Sequence, residues 1–163
     1  MTLAEAHRAP LPGRPEPPDA TEAVIGAMEV SITRATPPGR STLTESDRRW
    51  PGRLRLIARS YLRLWALERL TDSVELLITE LVTNALRYGR ADAIGVRVLR
   101  TARVVRIEVA DGTPVAPTVR HASALEECGR GLFLVEAIAD DWGVGDGGAV
   151  IWCALSLTEE PCA

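Results

Sequence analysis

The segment from Val74 to Leu86 constrains the fold most, because its apolar residues recur with the spacing of a helix that buries one face. These residues are Val74, Leu77, Ile78, Leu81, Val82, Ala85 and Leu86. Glu80 and Asn84 lie along one margin of that face, one helical turn apart. A carboxylate and an amide oxygen in this arrangement can bracket a metal-bound phosphate. Ordinary helix flanks contain the same spacing, so these two residues alone leave both interpretations open.

The remaining patterns predict an α+β fold. A first strand is expected within Val24–Ile32, a helix from Pro51, two adjacent strands, a further helix and a final hairpin. The later segments are Ile94–Val98, Val105–Val109, Leu132–Ala139, Trp142–Val144 and Ala149–Leu155. Because most strands neighbour one another in sequence, the sheet is expected to be antiparallel or mixed, with helices packed on one face.

Three arginines form a row along the helix that begins at Pro51. Arg55, Arg59 and Arg63 are spaced by four residues and share one side of that helix. Like charges at this spacing repel weakly, by about 0.2–0.5 kcal/mol for each pair. The row predicts either a solvated face or a docking strip for an acidic protein partner.

The start of the Val74–Leu86 helix has a capping pattern. Thr71 or Asp72 is expected to cap the helix, and Glu75 follows Asp72 by three residues, as in a capping box. Gly89 is a suitable residue just past the helix end.

The second of the two adjacent strands runs into Asp111 and Gly112. A carboxylate at a strand end, followed directly by glycine, is well placed to meet a ligand at the mouth of a pocket. Asp-Gly is also a common turn sequence that requires no ligand.

A long connection without periodicity precedes the next helix. Residues 114–128 are interpreted as a lid, since connections of this length inside a domain are usually functional or mobile. Gly129, Arg130 and Gly131 then lead directly into the helix that starts at Leu132. Glycines let backbone amides approach an anion at a helix N-terminus, and an arginine can add a charged contact to phosphate. Tight packing is the alternative explanation of these glycines.

Composition excludes several classes of mechanism. The 163 residues suit one domain, predicted over residues 21–163 after a disordered proline-rich tail at residues 1–20. All 19 basic residues are arginine, so lysine-dependent phosphate loops and Schiff-base chemistry are excluded. The net charge of −3 and the lack of a basic and aromatic surface run disfavour direct nucleic-acid binding.

Cysteine, histidine and apolar content predict the compartment. Three cysteines without ligand spacing and two histidines make a zinc site unexpected, and free thiols fit a reducing cytoplasm. No apolar run approaches the roughly 20 residues of a membrane span, and the N-terminus has no signal-like segment. A cytoplasmic protein without membrane attachment is therefore predicted.

In their order along the chain, three of these motifs resemble those of the GHKL ATPase superfamily. Residues 80–89 are similar to its N box, residues 109–114 to a reduced G1 box, and residues 129–137 to its G2 box. The resemblance is strongest to the short bacterial anti-sigma-factor serine kinases and spans about residues 48–157. It implies the Bergerat ATP-binding fold, a two-layer α/β sandwich with a mixed, mostly antiparallel sheet.

The resemblance also implies a role for each motif residue toward ATP and Mg²⁺. Asn84 would be the Mg²⁺ ligand, and Glu80 the base or orienting carboxylate for phosphoryl transfer. Asp111 would accept a hydrogen bond from the adenine amino group, with Gly112 lining that end of the site. The residues expected to close over the phosphates are Gly129, Arg130, Gly131 and Leu132.

The sequence departs from the family pattern at the end of the site that would bind the base. Thr113 and Val115 stand where the G1 box usually has glycines. Ala149 and Val150 replace a Lys-Thr pair of the last strand, whose threonine commonly helps to hold adenine. Weaker or altered nucleotide affinity is therefore expected, whereas the motifs of the Mg²⁺ and phosphate end are intact.

Two functions follow as expectations. The first is a protein serine kinase that phosphorylates an antagonist protein and thereby controls a sigma factor, in a family where homodimers are common. The second is a non-catalytic switch module that binds its partner with weak or altered nucleotide binding. A sensor histidine kinase is disfavoured, because His7 lies in the predicted tail and His121 in the predicted lid.

Overall fold

An antiparallel sheet is the frame of the structure, which a computed structural model describes over residues 22–40, 42–111, 131–145 and 149–158. In these ranges the strands are β1 (Gly26–Thr33), β2 (Ala93–Arg100), β3 (Val104–Ala110), β4 (Asp141–Gly145) and β5 (Val150–Ser156). Their order across the sheet is β1-β2-β3-β5-β4, and each neighbouring pair is antiparallel. The predicted α+β class is confirmed, and no parallel pair occurs among the described strands.

Helices cover one face of this sheet. They are α1 (Glu45–Arg48), α2 (Trp50–Leu64), a 3₁₀ turn (Glu68–Leu70), α3 (Thr71–Tyr88) and α4, whose described part is residues 131–138. Pro51 occupies the first turn of α2, where its missing N–H costs nothing. Among the described residues, none of the helices combines the length and the apolar content needed to cross a membrane.

Alternate strand residues and the apolar faces of the helices form one core. Strand residues of this core are Met28, Ile32, Ile94, Val96, Val98, Val105, Ile107, Val109, Cys153 and Leu155. Helix residues buried against them are Leu54, Ala58, Leu62, Val74, Leu77, Ile78, Leu81, Val82, Leu86 and Val135. The predicted apolar face of α3 is thus confirmed, with Ala85 only partly buried at its margin. This packing fixes which side of α3 faces the sheet.

The predicted cap of α3 is wrong, and two arginines of the α2 row have partners that the sequence did not predict. The residue before α3 is Leu70, and no side chain caps the helix there. The capping box is absent because Asp72 lies inside the first turn, and Glu75 instead forms an ion pair with Arg59 of α2 at 2.6 Å. Arg55 donates to the Thr79 hydroxyl at 3.0 Å. Two members of the arginine row therefore join α2 to α3.

Several predictions concern residues outside the described ranges. The proline-rich tail at residues 1–20 is one of them. The others fall in residues 112–130, which include Gly112, the predicted lid, Gly129 and Arg130.

Candidate functional site

Helix α3 carries Glu80 and Asn84 at the margin between its buried and exposed faces. Both side chains are half-buried, as the predicted helical spacing requires. The helix ends at Gly89, whose N–H donates to the Ala85 carbonyl at 2.8 Å. Gly89 has an extended backbone, with φ −64° and ψ 152°, so it does not end the helix through a left-handed turn.

A cleft lies between the second half of α3 and the sheet. Its wall is largely apolar, and its polar side chains come from Asn84, Tyr88 and Asp111. The described residues that line it are Leu81, Asn84, Ala85, Tyr88, Gly89, Val109, Asp111, Ala149 and Ile151. Asn84 and Asp111, which belong to two separate sequence motifs, therefore face the same cleft. An apolar wall with a few convergent polar groups is typical of a small-molecule site.

The end of α3 packs directly on Asp111. A Cβ atom added to Gly89 would lie 2.9 Å from the Asp111 Cβ and 3.3 Å from its Oδ2. On its other side, the Asp111 N–H donates to the Ala149 carbonyl at 3.1 Å. Asp111 is thus fixed between the helix end and the start of β5. Only a residue without a side chain allows so close an approach.

Glu80 lies against Gly131, the first described residue of α4. A Cβ atom added to Gly131 would lie 3.0 Å from the Glu80 Oε2. The backbone at the described start of α4 is therefore adjacent to the Glu80 carboxylate. Along α3, Glu80 faces Gly131, while Asn84 and Gly89 face the cleft that contains Asp111.

The predicted site residues are only partly within the described ranges. Glu80, Asn84, Asp111 and Gly131 are described: Asn84 and Asp111 line one cleft, and Glu80, one turn earlier on α3, lies against Gly131. Leu132 follows Gly131 on α4 and is half-buried, outside the cleft lining found for the described residues. Gly112, Gly129 and Arg130 lie outside the described ranges.

Arg34, directly after β1, is a component of the site region that sequence reasoning missed. Its guanidinium donates to the carbonyl oxygens of Ala85, at 3.0 Å, and of Leu86 and Gly89. Ala85 and Gly89 themselves line the cleft. A single arginine has no periodicity or spacing, so its only sequence signal is its place between a predicted strand and the Thr36-Pro37-Pro38 turn.

A buried carboxylate binds the backbone that follows Arg34. Asp47 of α1 accepts hydrogen bonds from the N–H groups of Ala35, at 3.0 Å, and Thr36, at 2.7 Å. Burial acts to raise the pKa of Asp47, but these hydrogen bonds and the charge of Arg34 outweigh it and lower the pKa below 3.8. Asp47 is therefore held ionised at neutral pH, with the backbone after Arg34 folded around it.

Fold and site together define a class, the GHKL superfamily of ATP-binding domains. Residues 45–155 match the family described as histidine kinase-like ATPase domain, and the chain belongs to this family. The matched region contains all three motifs and most of the sheet, whereas β1 and Arg34 precede it. Comparison with curated proteins finds no match. The chain is therefore of the kinase and ATPase class, and the cleft is its candidate ATP site.

Proposed function

We propose that this protein is an ATP-dependent protein serine kinase of the anti-sigma-factor type, which phosphorylates an antagonist protein and so controls a sigma factor. The observation that carries the proposal is the position of the Glu80 carboxylate against Gly131, one helical turn from Asn84 in the cleft. Phosphoryl transfer needs mainly positioning and charge neutralisation, with a carboxylate near the attacking hydroxyl. Helix α3 carries both groups on one rigid element.

Asn84 fits the role of a Mg²⁺ ligand. Its amide oxygen is a hard donor at the margin of the cleft, beside the region that Gly131 and Glu80 share. Mg²⁺ prefers few protein ligands, with waters and substrate phosphates completing its shell. When bound, the ion would neutralise charge on the transferring phosphate.

Glu80 is proposed to act on the substrate serine. Its carboxylate would take the proton of the hydroxyl as the serine oxygen bonds to the γ-phosphorus, and ADP would leave with the bridging oxygen. Gly131 supports this role, because the absence of a side chain lets the α4 backbone approach the carboxylate. Backbone N–H groups at that helix start would face the phosphates.

Asp111 is proposed to select the base. Its carboxylate can accept a hydrogen bond from an amino group, whereas the neighbouring wall from Val109, Ala149 and Ile151 is apolar. An adenine ring would contact this wall with its faces and Asp111 with its amino group.

A non-catalytic switch that binds a partner is the second candidate, and the apolar start of β5 is the observation that favours it. Ala149 lines the cleft beside Asp111, and Val150, at the place of the family's threonine, has no hydroxyl group to contact a base. One hydrogen bond to a base is typically worth about 0.5–1.5 kcal/mol, so its loss weakens nucleotide binding without preventing it. Such a protein would bind its partner without transferring phosphate.

Transfer of labelled phosphate from ATP to a candidate antagonist distinguishes the two functions. We expect transfer by the parent and a loss of about 10²–10⁴-fold in Glu80→Gln, the usual contribution of a general base. MgATP binding should be retained in that variant. Glu75→Gln is the matched control, because Glu75 lies on the same helix but pairs with Arg59. Partner binding without transfer by the parent would favour the switch, and undiminished transfer by Glu80→Gln would remove Glu80 from the chemistry.

A further inference from the structure

The C-terminal turn of α3 is held by a residue from another part of the chain. The last carbonyl groups of a helix have no partners within it. Gly89 does not provide the usual left-handed cap here, and its N–H occupies only the Ala85 carbonyl. The guanidinium of Arg34 supplies further donors, to the carbonyl oxygens of Ala85, Leu86 and Gly89. A cation at this end also complements the negative end of the helix dipole.

Arg34 is rigidly placed for this task. Its own N–H donates to the Asp92 carbonyl at 2.9 Å, which continues the β1–β2 pairing by one residue. Its side chain is buried, with 9% exposure, and its charge is attracted by that of Asp47. A buried guanidinium with several fixed acceptors has little freedom to move. The position of Arg34 therefore determines the position of the carbonyl groups that it contacts.

Two of these three carbonyl groups belong to residues that line the cleft. Ala85 and Gly89 line it directly, and Asn84 and Tyr88 lie within the same turn. Gly89 also packs closely on Asp111, since a Cβ atom added to Gly89 would lie 2.9 Å from the Asp111 Cβ. A shift of this turn would change the spacing between the polar groups on α3 and the carboxylate on the sheet.

We infer that Arg34 is a positioning residue of the nucleotide site, which fixes the last turn of α3 against Asp111 without contacting the ligand. This inference rests on the proposed nucleotide binding and adds to it a residue that precedes the matched region, residues 45–155. The role is specific to the cleft, beyond a contribution to overall stability.

Arg100 provides a matched control for a purely structural role. Its guanidinium donates to the carbonyl of Trp65, the residue that ends α2, at 3.0 Å. In both Arg34 and Arg100, the Nε atom is buried and has no hydrogen-bond partner among the described residues. Both arginines thus cap a helix end from the strand layer, but Trp65 is not part of the cleft lining found for the described residues.

Calorimetric titration with MgATP tests the inference on the full chain. We expect Arg34→Gln to raise the Kd by about 10- to 100-fold, the usual effect of removing a positioning partner. Arg100→Gln should leave the Kd within about twofold of the parent, although both variants lose thermal stability. Arg34→Lys retains the charge without the planar fork, so its Kd should lie between those of the parent and Arg34→Gln. Equal Kd values for the two glutamine variants would overturn the inference.

Amide hydrogen exchange at Gly89 gives a second readout that needs no nucleotide. In Arg34→Gln and Arg34→Lys, the Gly89 amide should exchange at least about tenfold faster than in the parent, because the turn that orders its bond to Ala85 is loosened. In Arg100→Gln its rate should change no more than the rates in the middle of α3. An unchanged Gly89 rate in both Arg34 variants would refute the positioning role. Failure of the parent to bind MgATP would instead refute the proposed function, and the exchange rates would still decide the role of Arg34.

Discussion

At the scale of single residues, the candidate site depends on two glycines that allow close approach. Gly131 lets the α4 backbone reach the Glu80 carboxylate, and Gly89 lets the end of α3 reach Asp111. Neither contact is apparent from the sequence, where Gly89 is explained as a helix stop and Gly131 as part of a phosphate loop. In the fold, Gly89 brings the end of α3 against Asp111, and Gly131 lies against the Glu80 carboxylate.

Replacing Asp111 with asparagine tests which base the cleft selects. The carboxylate only accepts hydrogen bonds, whereas the asparagine amide can also donate to a carbonyl oxygen. We expect Asp111→Asn to lower the preference for ATP over inosine triphosphate by at least about tenfold, since a hydrogen bond to a charged group is worth roughly 1.5–3 kcal/mol. Competition titrations with the two nucleotides measure this ratio.

Asp92→Asn is the control for that substitution, because the Asp92 side chain is exposed in the turn before β2. Its ratio of affinities should equal that of the parent. An unchanged ratio in Asp111→Asn would mean that Asp111 does not contact the base.

At the scale of elements, α3 is held along its length by contacts from other segments. Arg59 and Arg55 bind it from α2, and Arg34 binds its last turn. The predicted capping box is absent because Leu70, not Asp72, is the residue before the helix, and Glu75 has a cationic partner in α2 instead. Local pattern placed the helix correctly, but the partners of its polar side chains depended on a neighbouring helix that the pattern does not specify.

Ionised Asp47 should stabilise the loop after β1, and this stabilisation should depend on pH. The folded-state pKa of Asp47 is lowered, so its stabilisation is present above about pH 4 and is lost as the pH falls through the folded pKa. We expect Asp47→Asn to reduce the free energy of unfolding by about 1–3 kcal/mol at pH 7, because two backbone donors lose a charged acceptor. Urea unfolding across the acid range should show the difference from the parent narrowing as the pH falls below 3.8.

Asp92→Asn again provides the comparison, because the Asp92 side chain is exposed and its replacement should change stability little. A difference between Asp47→Asn and the parent that stays constant with pH would show that the charge of Asp47 does not stabilise the fold.

At the scale of the whole molecule, the sequence predicts the frame and the main motifs but not the contacts that join them. Regular apolar spacing identifies β1, α2, α3 and the later strands, because core burial imposes a period on each element. Asp111 and Asn84 are predictable as a pair only through a resemblance, since their approach depends on how β3 packs beneath α3. Arg34 and Asp47 form no periodic pattern. Only in the folded chain does Arg34 contact the last turn of α3 and Asp47 bind the backbone after Arg34.

The central claim is that Asn84, Asp111 and the Glu80–Gly131 contact together form a MgATP site. Asn84 is the only asparagine in the 163-residue sequence, which contains no glutamine, so Asn84→Ala removes the only side-chain amide of the protein. The residue lies off the apolar face of α3, so the variant should fold like the parent.

The most direct measurement is calorimetric titration of ATP into the parent and Asn84→Ala, each with Mg²⁺ and with a chelator. We predict that the parent binds ATP with Mg²⁺ and loses at least about tenfold in affinity with the chelator, and that Asn84→Ala shows little dependence on the metal. Equal affinity in the parent with and without Mg²⁺, or parent-like MgATP binding by Asn84→Ala, would contradict the account.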